Sequence, residues 1–85
     1  MNNKLEIFKK KLIYRAGYRG TKEMDILLSS FVNKHINNLD DELLYELDKF
    51  LNFDDETILD FYNYNINKMN IKNNKISKIF KSFKL

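Results

Sequence analysis

Apolar side chains recur every three or four residues along most of this chain, which is the spacing that gathers them on one side of an α-helix. No stretch alternates apolar and polar residues for long enough to indicate a β-strand, and the chain has no proline to interrupt a helix. Because the connections between the apolar stripes are short, the pattern predicts an all-α fold: a compact bundle of four to five short helices in a single domain over residues 1–85. The five stripes are Leu5, Phe8, Leu12, Ile13 and Ala16; Met24, Leu27, Leu28, Phe31 and Val32; Leu43, Leu44, Leu47, Phe50 and Leu51; Ile58, Leu59, Phe61 and Tyr62; and Ile76, Ile79, Phe80 and Phe83.

Residues that favour helix ends separate these stripes. Gly17 weakens the end of the first helix and Gly20 is predicted to end it, because glycine adopts backbone conformations that other residues resist. Asp40 and Asp54 each precede two further acids, a pattern typical of an N-cap followed by acids that interact favourably with the helix dipole. The Asn-rich stretch 63–74 is only weakly periodic, and its apolar residues are expected to pack either as a loop or as a helical extension: Ile66, Met69 and Ile71.

Charge is distributed unevenly along the chain. Residues 1–22 contain seven basic side chains and one acid, residues 23–60 contain eleven acids and two lysines, and residues 61–85 contain six lysines and no acid. A basic, acidic, basic order predicts that both ends of the chain lie near its middle in the fold. It argues against one large nucleic-acid surface, because the central acids would repel phosphate.

The chain offers few groups for catalysis or metal binding. It has no cysteine, and the single histidine, His35, provides neither a cysteine–histidine pair nor a multi-histidine metal cluster. We expect His35 to be a capping or half-buried side chain near the end of the second helix. The paired acids that begin at Asp40 and Asp54 are explained as helix caps without any catalytic role.

Membrane and targeting signals are also weak. The apolar runs are too short for any segment to span a bilayer, and the last helix is expected to bury its apolar stripe and leave its lysines in water. The opening MNNKLEIFKKK has neither the apolar core of a signal peptide nor the arginine-rich and serine-rich, acid-poor character of a transit peptide. These features predict a cytoplasmic protein with no membrane insertion.

The stretch YRGTKEMD joins the first two stripes and contains one of the two glycines in the chain. A helix corner explains most of it: Gly20 supplies the unusual backbone shape, Thr21 or Gly20 caps the second helix, and Glu23 closes the cap or meets the dipole. Arg19 is not explained in this way, because a cation just ahead of a helix N-terminus lies at the wrong end of the dipole. It therefore needs an acidic partner, either Glu23 or Asp25 of this chain or a group on another protein.

The run KKLIYRAGYRGTKEMDILLSSF resembles the opening of the small assembly factors of succinate dehydrogenase, which promote covalent flavin attachment. Their signature, an Arg-Gly-x-x-Glu turn after a basic first helix, matches Arg19, Gly20 and Glu23. The resemblance spans most of residues 10–62 and implies a five-helix bundle, in agreement with the periodicity. Flanking residues match as well, some of them as in bacterial members: Leu12, Tyr14, Arg15, Met24, Asp25 and the stretch from Ile26 to Phe31.

The resemblance implies a role in maturation and not in catalysis. The partner would be the flavoprotein subunit of succinate dehydrogenase, with the flavoprotein of fumarate reductase as a second candidate. That subunit's own histidine forms the bond to FAD in this family, so the resemblance implies that the chain is not an enzyme and binds no cofactor tightly. We further expect a bacterial cytoplasmic protein that is a monomer or a weak homodimer and has no nucleic-acid partner.

The residues implied in partner binding lie on the turn and beside it. Arg19 would pair with a carboxylate or with backbone carbonyls of the flavoprotein, and Gly20 would permit close approach of the two backbones. Glu23 would either brace the turn or contact the partner. Arg15 and Asp25 are expected on the same face.

A different class of function remains open from the residues alone. With a sequence pI of about 9.1, the chain has the charge of a small basic helical nucleic-acid-binding protein. However, the second helix opens with Glu23 and Asp25 and has no basic residue before Lys34, whereas a recognition helix needs Arg, Lys, Asn or Gln there. A membrane-surface role would require the last helix to detach from the core.

Overall fold

The computed structural model of the chain describes residues 3–64, 66 and 71–85. Within these ranges it contains five α-helices and no β-strand, which confirms the predicted all-α bundle. Met69, which was expected to contribute to packing, lies outside the described residues. The helices are α1 (Asn3–Gly17), α2 (Lys22–His35), α3 (Asp41–Phe50), α4 (Asp55–Tyr64) and α5 (Lys75–Ser82), with a single 3-10 turn (Ile36–Asn38) after α2.

The core forms where four of the helices meet around one phenylalanine. Phe80 of α5 is fully buried, and its ring lies 5.1 Å from that of Phe31, 5.0 Å from that of Phe50 and 5.0 Å from that of Tyr62, between ring centroids. Its partners belong to α2, α3 and α4, while α1 packs on α2 and α3 through its own apolar stripe. Each aromatic pair stabilises the fold by about 0.5–1.5 kcal/mol beyond the area it buries. The bundle therefore provides a rigid base for the corners between helices.

The predicted caps of α3 and α4 are both present. The Asp40 carboxylate accepts a hydrogen bond from the Leu43 backbone N–H at 2.9 Å, and that of Asp54 accepts one from the Thr57 N–H at 2.8 Å. The first helix ends at Gly17, three residues before the predicted end at Gly20, because the positive φ of Gly20 is used inside the turn that follows. The two carboxylates thus satisfy backbone N–H groups that the start of a helix leaves unpaired.

The C-terminal third is held by polar contacts that the sequence pattern did not indicate. Asn74 and Ser77 form a reciprocal capping box at the start of α5, and Ser77 is only 2% exposed. The Tyr62 hydroxyl donates a hydrogen bond to the Phe83 carbonyl oxygen at 2.6 Å, which ties α4 to the end of α5. Ile71 is buried in the core and Ile66 is exposed, so the expected packing of this stretch holds for one of its two described apolar residues.

His35 is half-buried at the end of α2, as expected. Its ring lies 5.1 Å from that of Phe31 and 6.2 Å from that of Phe83, between centroids. Burial lowers the pKa of the imidazole, and the positive charge of Lys34 lowers it further. Among the described residues, no helix is both long enough and apolar enough to cross a membrane.

The N-cap of α4 makes the free energy of unfolding depend on pH. Hydrogen bonds from the side chain and the backbone of Thr57 lower the pKa of Asp54, and the positive charge of Arg19 adds to the effect. The pKa of the Asp54 carboxyl is lower in the folded state than in the unfolded state, so the ionised carboxylate stabilises the fold at pH values above the unfolded pKa. This stabilisation is lost as pH falls through the folded pKa. We expect Asp54→Asn, which retains a capping side chain, to lose less stability than the wild type as pH drops below about 5.

Thermal unfolding monitored by circular dichroism across this pH range measures the difference. Asp41→Asn is the matched control, because it removes an exposed acid from the first turn of a helix that Asp40 caps. Equal acid slopes for the wild type and Asp54→Asn would show that this cap does not contribute to the acid dependence.

Candidate functional site

The connection between α1 and α2 is a tight turn closed by residues of the second helix. Gly20 has a φ of +120°, in the left-handed region that side-chain-bearing residues rarely adopt. Thr21 caps α2 by accepting a hydrogen bond from the Met24 N–H at 3.3 Å. The Asp25 carboxylate accepts one from the Arg19 backbone N–H, so Asp25, and not Glu23, reaches back across the turn. The turn is therefore fixed by its own chain before any partner binds.

Arg19 lies folded against a different corner of the bundle. Its Nε donates to Asp55 Oδ1 at 2.9 Å, its Nη1 to the Leu51 carbonyl oxygen at 2.7 Å and its Nη2 to the Phe53 carbonyl oxygen at 2.6 Å. The side chain is only 11% exposed. We call these contacts the arginine clamp, since one planar guanidinium joins the α1–α2 turn to the α3–α4 corner.

The arginine clamp answers the question that the sequence left open about Arg19. Its acidic partner is Asp55, the first residue of α4, and neither Glu23 nor Asp25 pairs with the guanidinium. Sequence reasoning assigned Asp55 to the helix start and missed this role. A signal was available, because Asp54 alone suffices as the cap and leaves the second acid free for a cation of the basic N-terminal segment.

Arg15 repeats the arrangement one helical turn earlier. Its guanidinium pairs with the Asp48 carboxylate through Nη1, and Nη2 donates to Asn52 Oδ1 at 2.7 Å and to the Asp48 carbonyl oxygen at 3.3 Å. These partners lie at the C-terminal end of α3, where the last carbonyls lack helical partners and a cation is favoured by the dipole. Both arginines join the basic first segment to the acidic middle, as the charge order predicts.

The five residues predicted to bind a partner thus fall into two groups. Arg15, Arg19 and Asp25 are partly buried and engaged within the chain. Gly20 and Glu23 are exposed, and in the described part of the chain no cation lies within ion-pair distance of Glu23. The turn therefore presents an exposed backbone and a carboxylate, and the arginine clamp fixes the turn to the α3–α4 corner.

Comparison with known proteins decides the family. The model of a family described as "Flavinator of succinate dehydrogenase" matches residues 10–84. The chain belongs to this family. The resemblance carried by the Arg-Gly-x-x-Glu turn is thereby confirmed, and the turn lies inside the matched range.

Curated relatives match a shorter part of the chain. Succinate dehydrogenase assembly factor 2-B, mitochondrial, of Drosophila simulans is 44% identical over 48 residues, which cover 56% of this chain and 31% of the fly protein. Succinate dehydrogenase assembly factor 2, mitochondrial, of the yeast Meyerozyma guilliermondii is 42% identical over 57 residues, which cover 67% of this chain and 40% of the yeast protein. The matched stretches thus span well under half the length of these relatives. None of the solved structures matches it significantly.

These relatives correct the prediction of a bacterial, cytoplasmic protein. They are named as mitochondrial and come from flies and yeast, so that prediction is wrong. It depended on the opening residues and on the likeness of Met24 and Asp25 to bacterial members. In the structure Met24 is buried in the core and Asp25 closes the turn, so both residues serve the fold and neither indicates a compartment.

Proposed function

We propose that this chain acts as an assembly factor that binds the flavoprotein subunit of succinate dehydrogenase and promotes the covalent attachment of FAD. Membership of the flavinator family supports the assembly role. The observation that carries the proposal is the exposed, positive-φ turn at Gly20, which the arginine clamp holds in one conformation. A turn that is already ordered loses little conformational entropy when a partner docks on it.

Positioning is the proposed mechanism. The flavoprotein's own histidine forms the bond to FAD, and this chain supplies no catalytic group and holds no cofactor tightly. Docking accelerates attachment only if the chain binds more tightly to the conformation in which histidine and flavin are aligned than to the others. Alignment of two reacting groups can lower the activation free energy by several kcal/mol. That is enough for a factor to accelerate the reaction without supplying an acid, a base or a nucleophile.

The turn residues have separate tasks in this mechanism. Gly20 lets the partner's backbone approach without a Cβ in the way. Glu23, which has no cation within ion-pair distance among the described residues, offers a carboxylate that fixes the partner's orientation. Arg19, Arg15 and Asp25 hold the turn from within the chain, and any direct contact with the partner would be additional to that role.

The decisive experiment measures covalent flavin fluorescence of the flavoprotein in a denaturing gel. The flavoprotein is produced with FAD in cells that lack their own assembly factor, with or without this chain. We expect a fluorescent band only when the chain is present. Equal bands at equal flavoprotein levels would overturn the proposal. The same experiment with the flavoprotein of fumarate reductase tests whether that protein is a second partner.

The nucleic-acid alternative is not favoured. The first turn of α2 carries Glu23 and Asp25, where a recognition helix would carry cations or amides, and Asp25 is engaged within the turn. Family membership supports a protein partner instead. Sequence-selective retention of DNA by the purified chain would be the result in favour of the alternative.

A further inference from the structure

Helix α1 has a second apolar side that the bundle does not cover. Its inner side contributes Leu12 and Ala16 to the core, both fully buried. On the opposite side Ile7 is 54% exposed, Tyr14 is 63% exposed and Tyr18, in the turn just after the helix, is 72% exposed. A spacing of seven residues keeps Ile7 and Tyr14 nearly in line on α1, about 10 Å apart along its axis, and Tyr18 continues the row beside Tyr14. We call this row the outer stripe.

The residues of the outer stripe form one continuous surface beside a groove and are not scattered exposed side chains. The rings of Tyr14 and Tyr18 stack with centroids 4.5 Å apart and planes inclined by 26°. Beside them lies a shallow groove of about 370 Å³ lined by Ile7, Lys10, Lys11, Tyr14 and Arg15. Tyrosine is enriched in protein interfaces because it offers a large rigid contact area and a hydroxyl at its edge. Single exposed apolar residues are normal on a surface, whereas an ordered row beside a groove indicates binding.

Two cations beside the outer stripe are available to a partner. Lys9 pairs with Glu6 at 3.8 Å, and Arg15 and Arg19 are engaged with Asp48 and Asp55. Lys10 and Lys11 are exposed, and among the described residues no carboxylate lies within ion-pair distance of either one. The groove thus combines apolar walls with two unpaired positive charges.

We infer that the outer stripe is a second docking surface, for an apolar segment of the flavoprotein that carries carboxylates. This inference rests on the proposed function, and it extends the candidate site from the turn along α1. Charge complementarity to Lys10 and Lys11 selects an acidic segment, and the apolar groove selects one with large side chains. Tyr18 lies in the connection between α1 and α2, next to Arg19 and Gly20, so one partner can cover both surfaces without a gap.

A protein segment fits this surface better than an anionic membrane does. Stacked phenol rings suit a contact with a defined partner orientation, while the lysines steer association. The turn then determines alignment of the reacting groups, and the outer stripe supplies affinity.

Affinity for the purified flavoprotein subunit, measured at low and at physiological salt, tests the assignment. We expect Tyr14→Ser and the double variant K10E/K11E each to weaken binding by at least about tenfold, with a reduced salt dependence for the double variant. Flavinylation by both variants should recover at saturating concentration, which a defect at the turn would not allow. Tyr64→Ser and K75E/K78E are the matched controls, since they change exposed residues of α4 and α5, and they should bind like the wild type.

The possible outcomes separate this inference from the proposed function. If the wild type binds the flavoprotein and both variants bind it with the same affinity, the second docking surface is overturned and the assembly role remains intact. No binding of the wild type would overturn the proposed function, and with it the identity of the occupant. A wild-type dimer in sedimentation that Tyr14→Ser dissociates would assign the surface to a second copy. Binding to vesicles of phosphatidylserine and phosphatidylcholine that K10E/K11E abolishes would assign it to a membrane, and either result overturns the inference.

Discussion

Gly20→Arg is expected to reduce covalent flavinylation of the flavoprotein to the level seen without any assembly factor, while the chain remains a helical bundle. The φ of +120° strains any residue with a Cβ by about 1–3 kcal/mol, which the core can tolerate. Space is not the obstacle, because a Cβ at this position would lie 3.8 Å from Asp55 Oδ2. The long cation, however, would occupy the exposed backbone surface that the partner is proposed to cover. The measurement is in-gel flavin fluorescence combined with a circular-dichroism melt.

The second glycine of the chain provides the matched control. Gly17 has no positive φ, and a Cβ there meets only Ser29 Oγ at 4.0 Å, an ordinary van der Waals distance. Gly17→Ala should therefore leave flavinylation unchanged and raise stability by about 0.5 kcal/mol or less, since alanine is the better helix former but Gly17 is the last residue of α1. Gly20→Ala carries the backbone strain without the bulk and should retain part of the activity. An unfolded Gly20→Arg variant would instead assign Gly20 to the fold alone.

The bundle itself was largely predictable, because the sequence features that specify its helices are local. Each helix has an apolar stripe with helical spacing, and Asp40 and Asp54 mark their helix starts by residue type and position. The start of α5 was less evident, since Asn74 is one of several asparagines in its segment and only the pairing with Ser77 distinguishes it. The end of α1 was misplaced because either glycine of the turn can terminate a helix, and only the backbone angles show which one does.

The site was predictable in its position and less so in its contacts. The mismatch between Arg19 and the helix dipole indicated that the arginine needed an acidic partner, and the predicted candidates were Glu23 and Asp25, within six residues of it, or a group on another protein. The partner, Asp55, lies 36 residues away, and two further contacts are carbonyl oxygens, which no sequence pattern reveals. Glu23 was left undecided between bracing and contact, and its exposure now favours contact.

Arg19→Lys is expected to lower the free energy of unfolding by about 2–3 kcal/mol, because a point-like ammonium cannot reach Asp55 and two carbonyl oxygens at once. For a domain of this size the melting temperature should fall by roughly 10–20 °C. Asp55→Asn should cost less, since the carbonyl contacts remain. A double-mutant cycle of Arg19 and Asp55 should give a coupling energy of about 1–3 kcal/mol, as neighbouring partners in one network do. Chemical denaturation of all four proteins measures these quantities.

The same variant distinguishes a brace from a direct contact with the partner. If Arg19 acts only by stabilising the fold through the arginine clamp, flavinylation by Arg19→Lys should recover at low temperature, where the destabilised variant is folded. Arg15→Lys is the control, since its side chain is 33% exposed and its loss should cost about 1 kcal/mol or less. A normal melting temperature combined with lost flavinylation would place the guanidinium on the partner. Because the clamp joins the turn to the α3–α4 corner, a substitution at Asp55 should also weaken docking at Gly20. If Arg19 instead contacts the partner directly, a substitution at Asp55 should leave that docking unchanged.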